Sequence, residues 1–144
     1  MSRALVATAT TSIDASPSVV WKALTNPSDI KQYMFGTTVI SNWKRGSPIT
    51  WKGEFQGKRY EDKGQILAYE PNERLEYSHF SPLSGKPELP ENFHTVTIEL
   101  APEGNGTRVT LSQDNNGSEQ ERAHSTKNWE SMLSGLKKLV ESRR

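Results

Sequence analysis

The stretch from Ser118 to Glu141 constrains the fold more than any other. Ser118 followed three positions later by Glu121 is the capping-box spelling of a helix start. Beyond it, Trp129, Leu133, Leu136 and Val140 recur at the spacing of one helical face, with Met132 and Leu139 beside them. Lys137, Lys138 and Arg143 complement the negative pole of a helix C-terminus. A helix of 24 residues would run about 36 Å at 1.5 Å per residue, enough to cross a small domain. Such a helix cannot bury its stripe alone, so the chain before it has to offer a broad apolar surface.

Strand signals supply that surface. Leu5, Ala7, Ala9, Thr11 and Ile13 alternate with Val6, Thr8, Thr10 and Ser12 as a first strand. Ser16-Pro17 then reads as an N-cap with proline at the first helical position, and Val19, Val20, Ala23 and Leu24 carry a short helix with Trp21 on its flank. Asn26-Pro27 repeats the signal and opens a second short helix to about Tyr33. Ile49, Trp51, Gly53 and Phe55 alternate next, with a hairpin turn at Gly57, and Tyr60, Asp62, Gly64, Ile66 and Ala68 share one face of the following strand. Leu75, Tyr77 and His79 make another strand; His94, Val96, Ile98 and Leu100 a further one; Thr107, Val109, Leu111 and Gln113 the last, after a tight hairpin at Asn105-Gly106. Between them Ser81 to Asn92 holds three prolines and a glycine, the longest irregular stretch and a candidate lid. Strand, two short helices, about six antiparallel strands and one long helix is an α+β order, in which the last helix packs on one face of a twisted sheet.

With 144 residues, one domain over 1–144 is expected, large enough to bury about two-thirds of its unfolded surface. Eighteen basic residues balance 17 acidic ones, and the basic ones are dispersed, which argues against nucleic acid and against a charged membrane surface. The opening MSRALVATATTSI is too short and polar in its apolar run for a signal peptide, and no membrane-spanning run follows, so a cytoplasmic location is expected. Without a secretory signal, Asn105-Gly106-Thr107 and Asn116-Gly117-Ser118 read as turns rather than glycosylation acceptors. The absence of cysteine removes disulfides, thiol nucleophiles and cysteine metal sites together.

Several spaced motifs carry a family resemblance. Ser16-Pro17-Ser18-Val19-Val20-Trp21 after the first strand, Gly64-Gln65-Ile66-Leu67 leading into Pro71-Asn72-Glu73-Arg74-Leu75, and Asn128-Trp129-Glu130 with Leu133, Leu136 and Lys137 resemble the SRPBCC (START-like, Bet v 1-like) superfamily. More narrowly, the chain resembles the domain homologous to the C-terminal part of the activator of the heat-shock protein 90 ATPase. The resemblance implies a helix-grip fold: a curved antiparallel sheet around the last helix, the helix pair closing one end, and often a cavity between sheet and helix. It implies no single activity, because one fold hosts many sites.

Polar residues on inward faces are the candidates for chemistry, since burying one unpaired is costly. Asp62, His79 and His94 are the catalytic candidates: Asp62 to orient a histidine, a histidine to act as general base near neutral pH. The plain alternative is that these side chains sit in water at sheet ends or pair with one another. No spacing resembles HExxH or a zinc motif, so no metal is expected. No Gly-x-Ser-x-Gly turn or phosphate cradle is present, and no cofactor is implied.

The aromatic residues form the candidate ligand site. Trp51, Phe55, Tyr77 and Trp129, with Leu133 on the helix stripe, fall on inward faces, and Tyr33 and Phe35 lie around the helix-pair end. They would line an apolar pocket whose polar points come from tyrosine hydroxyls, His79 or His94; equally, they would serve as plain core. Three functions follow in order: a domain binding a hydrophobic or aromatic small molecule beneath the last helix; a protein-interaction module related to the co-chaperone, with heat-shock protein 90 as partner; and a cofactor-free cyclase or hydratase. Monomer and homodimer both fit.

Overall fold

A computed structural model describes residues 5–143 of the chain, with the side chain of Phe55 outside the described residues. The element order is β1 (Ala7–Ile13), α1 (Pro17–Thr25), α2 (Pro27–Tyr33), β2 (Thr38–Ser41), β3 (Pro48–Phe55), β4 (Lys58–Glu70), β5 (Arg74–His79), β6 (His94–Glu103), β7 (Gly106–Gln113) and α3 (Glu119–Glu141), with two short 3-10 turns between β5 and β6. The seven strands form one antiparallel sheet in the order β1-β7-β6-β5-β4-β3-β2. This is the α+β helix-grip, Bet v 1-like fold.

Local chemistry sets the ends of α3. Ser118 Oγ accepts from Glu121 N–H at 3.1 Å, and the Glu121 carboxylate accepts from the N–H of Gly117, one residue outside the usual capping-box donor. Met132, Leu133, Leu136 and Val140 are buried, whereas most of the first two turns stay in solvent. The helix packs mainly against β1, at one margin of the sheet, and against α2, where Gly135 lets the backbone sit against Tyr33; an added Cβ would lie 3.2 Å from Tyr33 Cβ. Its C-terminal half therefore closes the core, and the concave face of β3, β4 and β5 is left open beside its N-terminal half.

Three local expectations are corrected. Val19 is 48% exposed and Trp21 is 6% exposed: α1 turns its indole inward, where it meets the Tyr69 ring edge-on at 5.3 Å. The hairpin between β6 and β7 turns on Gly104-Asn105, one residue early, because Gly104 takes the positive φ (59°) that such a turn demands. Gly106 is instead the first residue of β7, pressed so close to β1 that a Cβ would lie 2.5 Å from Ile13 O. In β4, a bulge between Ile66 and Ala68 shifts the register: Ile66 pairs with Tyr77, but Ala68 pairs with Glu76 and Tyr69 with Leu75. The extra residue turns Tyr69 toward the core and Ala68 to the other face.

The Ser81–Asn92 connection is anchored rather than loose. Asn92 Nδ2 donates to Pro87 O at 2.8 Å, and Asn115 Nδ2 donates to Glu91 O at 2.8 Å. Lys63 pairs with Glu88 at 2.7 Å, and Phe80 stacks on Phe93 at 5.1 Å where the loop begins and ends. Among the described residues no helix is long and apolar enough to cross a membrane.

Candidate functional site

Where β3, β4 and β5 are left open, a cleft of about 470 Å³ lies between the sheet and the N-terminal half of α3. Trp51 on β3 and Tyr77 on β5 form its apolar wall, with ring centroids 5.0 Å apart. Both also line a deeper void of about 20 Å³ with Tyr33, Leu75 and Met132. Trp129 closes the cleft from the helix side; its Nε1–H donates to Gln113 Oε1 at 2.5 Å, which fixes the indole against β7. On the far side of that indole a second chamber of about 420 Å³ shares Met34, Phe35, Asn128 and Trp129 as its wall.

An ionisable pair faces the cleft. His79 Nε2 lies 2.9 Å from Asp62 Oδ2, with Asp62 15% and His79 27% exposed at the side chain. A carboxylate oxygen can only accept, so Nε2–H is the donor in this contact. The sheet explains why these two meet. Between the Lys63–Phe80 bridge and the Ile66–Tyr77 pair, the residue in register with His79 is Gly64. There the strands approach so closely that a Cβ on Gly64 would lie 1.7 Å from Ser78 O. With no side chain opposite it, His79 leans diagonally to Asp62, two residues along β4 on the same face. The imidazole also rests edge-on against Trp51 at 4.9 Å.

The tyrosines act as neutral groups. Burial pushes the Tyr77 hydroxyl well above the ordinary value of 10. Burial does the same to Tyr33, with smaller contributions from Tyr77 and Asp29, and Tyr33 Oη donates to Ala23 O at 2.9 Å. Neither phenol ionises near neutral pH, so neither is a base there.

Of the residues expected at the site, Trp51, Tyr77, His79, Asp62, Phe35 and Trp129 line the cleft. Phe35 does so from the rim, 74% exposed, at the left-handed φ of 55°. Tyr33 is reached only through the deeper void. Leu133 is 1% exposed and packs in the closed core away from both chambers. His94 stands behind His79, ring centroids 6.3 Å apart, with Nδ1 at 2.9 Å from Asp114 O, and does not line the cleft. The side chain of Phe55 lies outside the described residues. Sequence reasoning passed over Tyr60 and Thr37, whose hydroxyls meet at 2.5 Å on the cleft wall; the alternation that selected Asp62 also selects Tyr60. Alternation places Gln113 on an inward face, but not as the anchor of Trp129, a pairing across 16 residues that no local signal marks. Among the described residues no cluster of three or more metal-ligating side chains occurs.

A family model for activator of Hsp90 ATPase homolog 1-like protein matches residues 14–141. The chain belongs to that family. The solution structure of ChR145 from Cytophaga hutchinsonii is similar, with 56% identity over 99% of this chain and 98% of that one and a TM-score of 0.86. CalU16 from Micromonospora echinospora is 27% identical over 92% of this chain and 74% of its own, with a TM-score of 0.72. At 22% identity, the Aha1 dimer from Colwellia psychrerythraea shares the fold, with a TM-score of 0.73 over 94% of this chain and 96% of that one. Among curated proteins nothing matches the chain.

Proposed function

We propose that this protein is a binding domain for a hydrophobic or aromatic small molecule, held in the cleft between the sheet and α3. The observation that carries the reading is the cleft itself: about 470 Å³, the size range of small-molecule sites, walled by Trp51, Tyr77 and Trp129 around the Asp62–His79 and Thr37–Tyr60 pairs. Apolar surface of this kind gains by excluding water, and the few polar groups set orientation. A cytoplasmic, single-domain carrier or receptor is the form this reading takes.

The test is native mass spectrometry of protein purified from its own host, compared with the same sample denatured. A non-covalent adduct, lost on denaturation and weakened by Trp129→Ala, is the expected result. Protein free of any adduct, with tryptophan signals unmoved by a panel of apolar aromatics, would overturn it.

Membership of a family named for activation of the Hsp90 ATPase favours a second reading, an interaction module for that chaperone. Phe35 and Leu83, 74% and 57% exposed, would supply apolar contacts. Failure to bind the chaperone or alter its ATPase rate would end that reading. The Asp62–His79 pair favours a third, general-base chemistry through Nδ1; turnover unaltered in His79→Gln would exclude it.

A further inference from the structure

We propose that the cleft takes an organic ammonium, an apolar or aromatic molecule bearing a positively charged amine. This rests on the reading of the cleft as a small-molecule site and names the class of ligand. Asp62 carries the argument. Its Oδ1 is the one buried side-chain polar atom without a hydrogen-bond partner among the described residues. Its other oxygen has the bond from His79. An enclosed carboxylate with one imidazole N–H as partner keeps much of its charge uncompensated, and the low-dielectric wall around it makes that costly.

Among the described residues that line the cleft none is lysine or arginine, so no permanent cation stands opposite Asp62. Lys63, next to Asp62, lies on the other face of β4 and pairs with Glu88 at 2.7 Å. Glu54 adds an acid at the rim, in register with Arg59 across the hairpin, and its alternation faces it away from Trp51 and Asp62. Asp62 is thus the inward charge.

The geometry separates a cation from a neutral donor. Oδ1 is shielded from solvent, so a hydroxyl or amide would have to displace the side chain to bond it. The field of an ammonium in the cleft acts on the carboxylate without contact. The wall suits a cation in its own right: Trp51 is the direct cross-strand partner of Asp62, and Tyr77 and Trp129 present further rings to the same space. Aromatic faces attract desolvated cations and accept the apolar remainder of the ligand.

The experiment compares naphthylmethylammonium, naphthylmethanol and naphthoate by calorimetry and by the indole N–H resonances of Trp51 and Trp129. It is run at about pH 8, where the amine probe is protonated and the naphthoate ionised. The ammonium is expected to bind about tenfold tighter than the alcohol, the scale of one desolvated cation contact, with naphthoate weakest. Asp62→Asn should remove most of the ammonium's advantage over the alcohol, leaving only the part that the aromatic wall supplies. Alcohol binding as tightly as ammonium overturns the proposal and leaves the hydrophobic site standing. Failure of all three to bind overturns both. Should Asp62→Asn not fold, the wild-type comparison of ammonium with alcohol still decides.

Discussion

His79 reaches Asp62 across Gly64: the 2.9 Å contact between imidazole and carboxylate exists where β4 and β5 crowd together over a residue without a side chain. A methyl group at Gly64 would meet the carbonyl oxygen of Ser78, which is backbone and cannot swing aside. Gly64→Ala is therefore expected to destabilise the fold by roughly 2 kcal/mol or more, within the range of overpacked cores, and to shift the His79 ring resonances. Urea unfolding checks the first and NMR the second. A loss under about 0.5 kcal/mol would mean that the strands do not approach this closely.

Asp62→Asn should raise the stability of the ligand-free protein. The carboxylate has one oxygen unpartnered and is mostly buried, and an amide of the same shape removes the uncompensated charge. A gain on the order of 1 kcal/mol in chemical unfolding is expected, at the expense of whatever the charge recognises. A loss of that size instead would show that His79 relies on a full negative charge opposite it.

Gln113→Leu should loosen Trp129. The substitution leaves the indole N–H without its acceptor and places an apolar group on the β7 face, so about 1–2 kcal/mol of stability is lost. Tryptophan fluorescence anisotropy should fall with it. Unchanged anisotropy would show that packing alone holds the ring.

Alkaline unfolding should be steep. Burial raises the Tyr33 and Tyr77 hydroxyls above the ordinary value of 10 in the folded state. Above that pH the unfolded chain releases these protons and the folded one keeps them, so stability is complete below about pH 10 and declines above it. Each tyrosine contributes a slope of up to about 1.4 kcal/mol per pH unit. Tyr77→Phe should flatten the decline in melting temperature between about pH 9.5 and pH 11; an unflattened curve would place the loss elsewhere.

The periodicities of the chain carried most of the fold. Alternation put Val109, Leu111 and Gln113 inward, the Ser118–Glu121 pair marked the start of α3, and both short helices began at their Ser-Pro and Asn-Pro signals. What misled was one-residue detail that local pattern does not encode. The bulge before Ala68 and the turn on Gly104 each answer to sheet twist and pairing. At the site, Asp62, His79, Trp51 and Tyr77 were found because inward polar and aromatic positions can be counted along a strand. His94 and Leu133 share those patterns but sit behind the cleft wall or deeper in the core, a difference of depth rather than of face. Depth depends on where α3 crosses the sheet, and the stripe on a helix does not say which strands it will meet.

Trp129 stands between two chambers, of about 470 and 420 Å³, and Gln113 holds it there. A guest short enough to stop at the indole leaves the bond to Gln113 intact. A longer one that turned the ring aside would break that bond and leave the Gln113 amide oxygen without its partner. Under the proposed binding reading the partition would act as a length gauge, with short guests held in the first cleft and extended ones reaching the second where their added contacts outweigh one hydrogen bond.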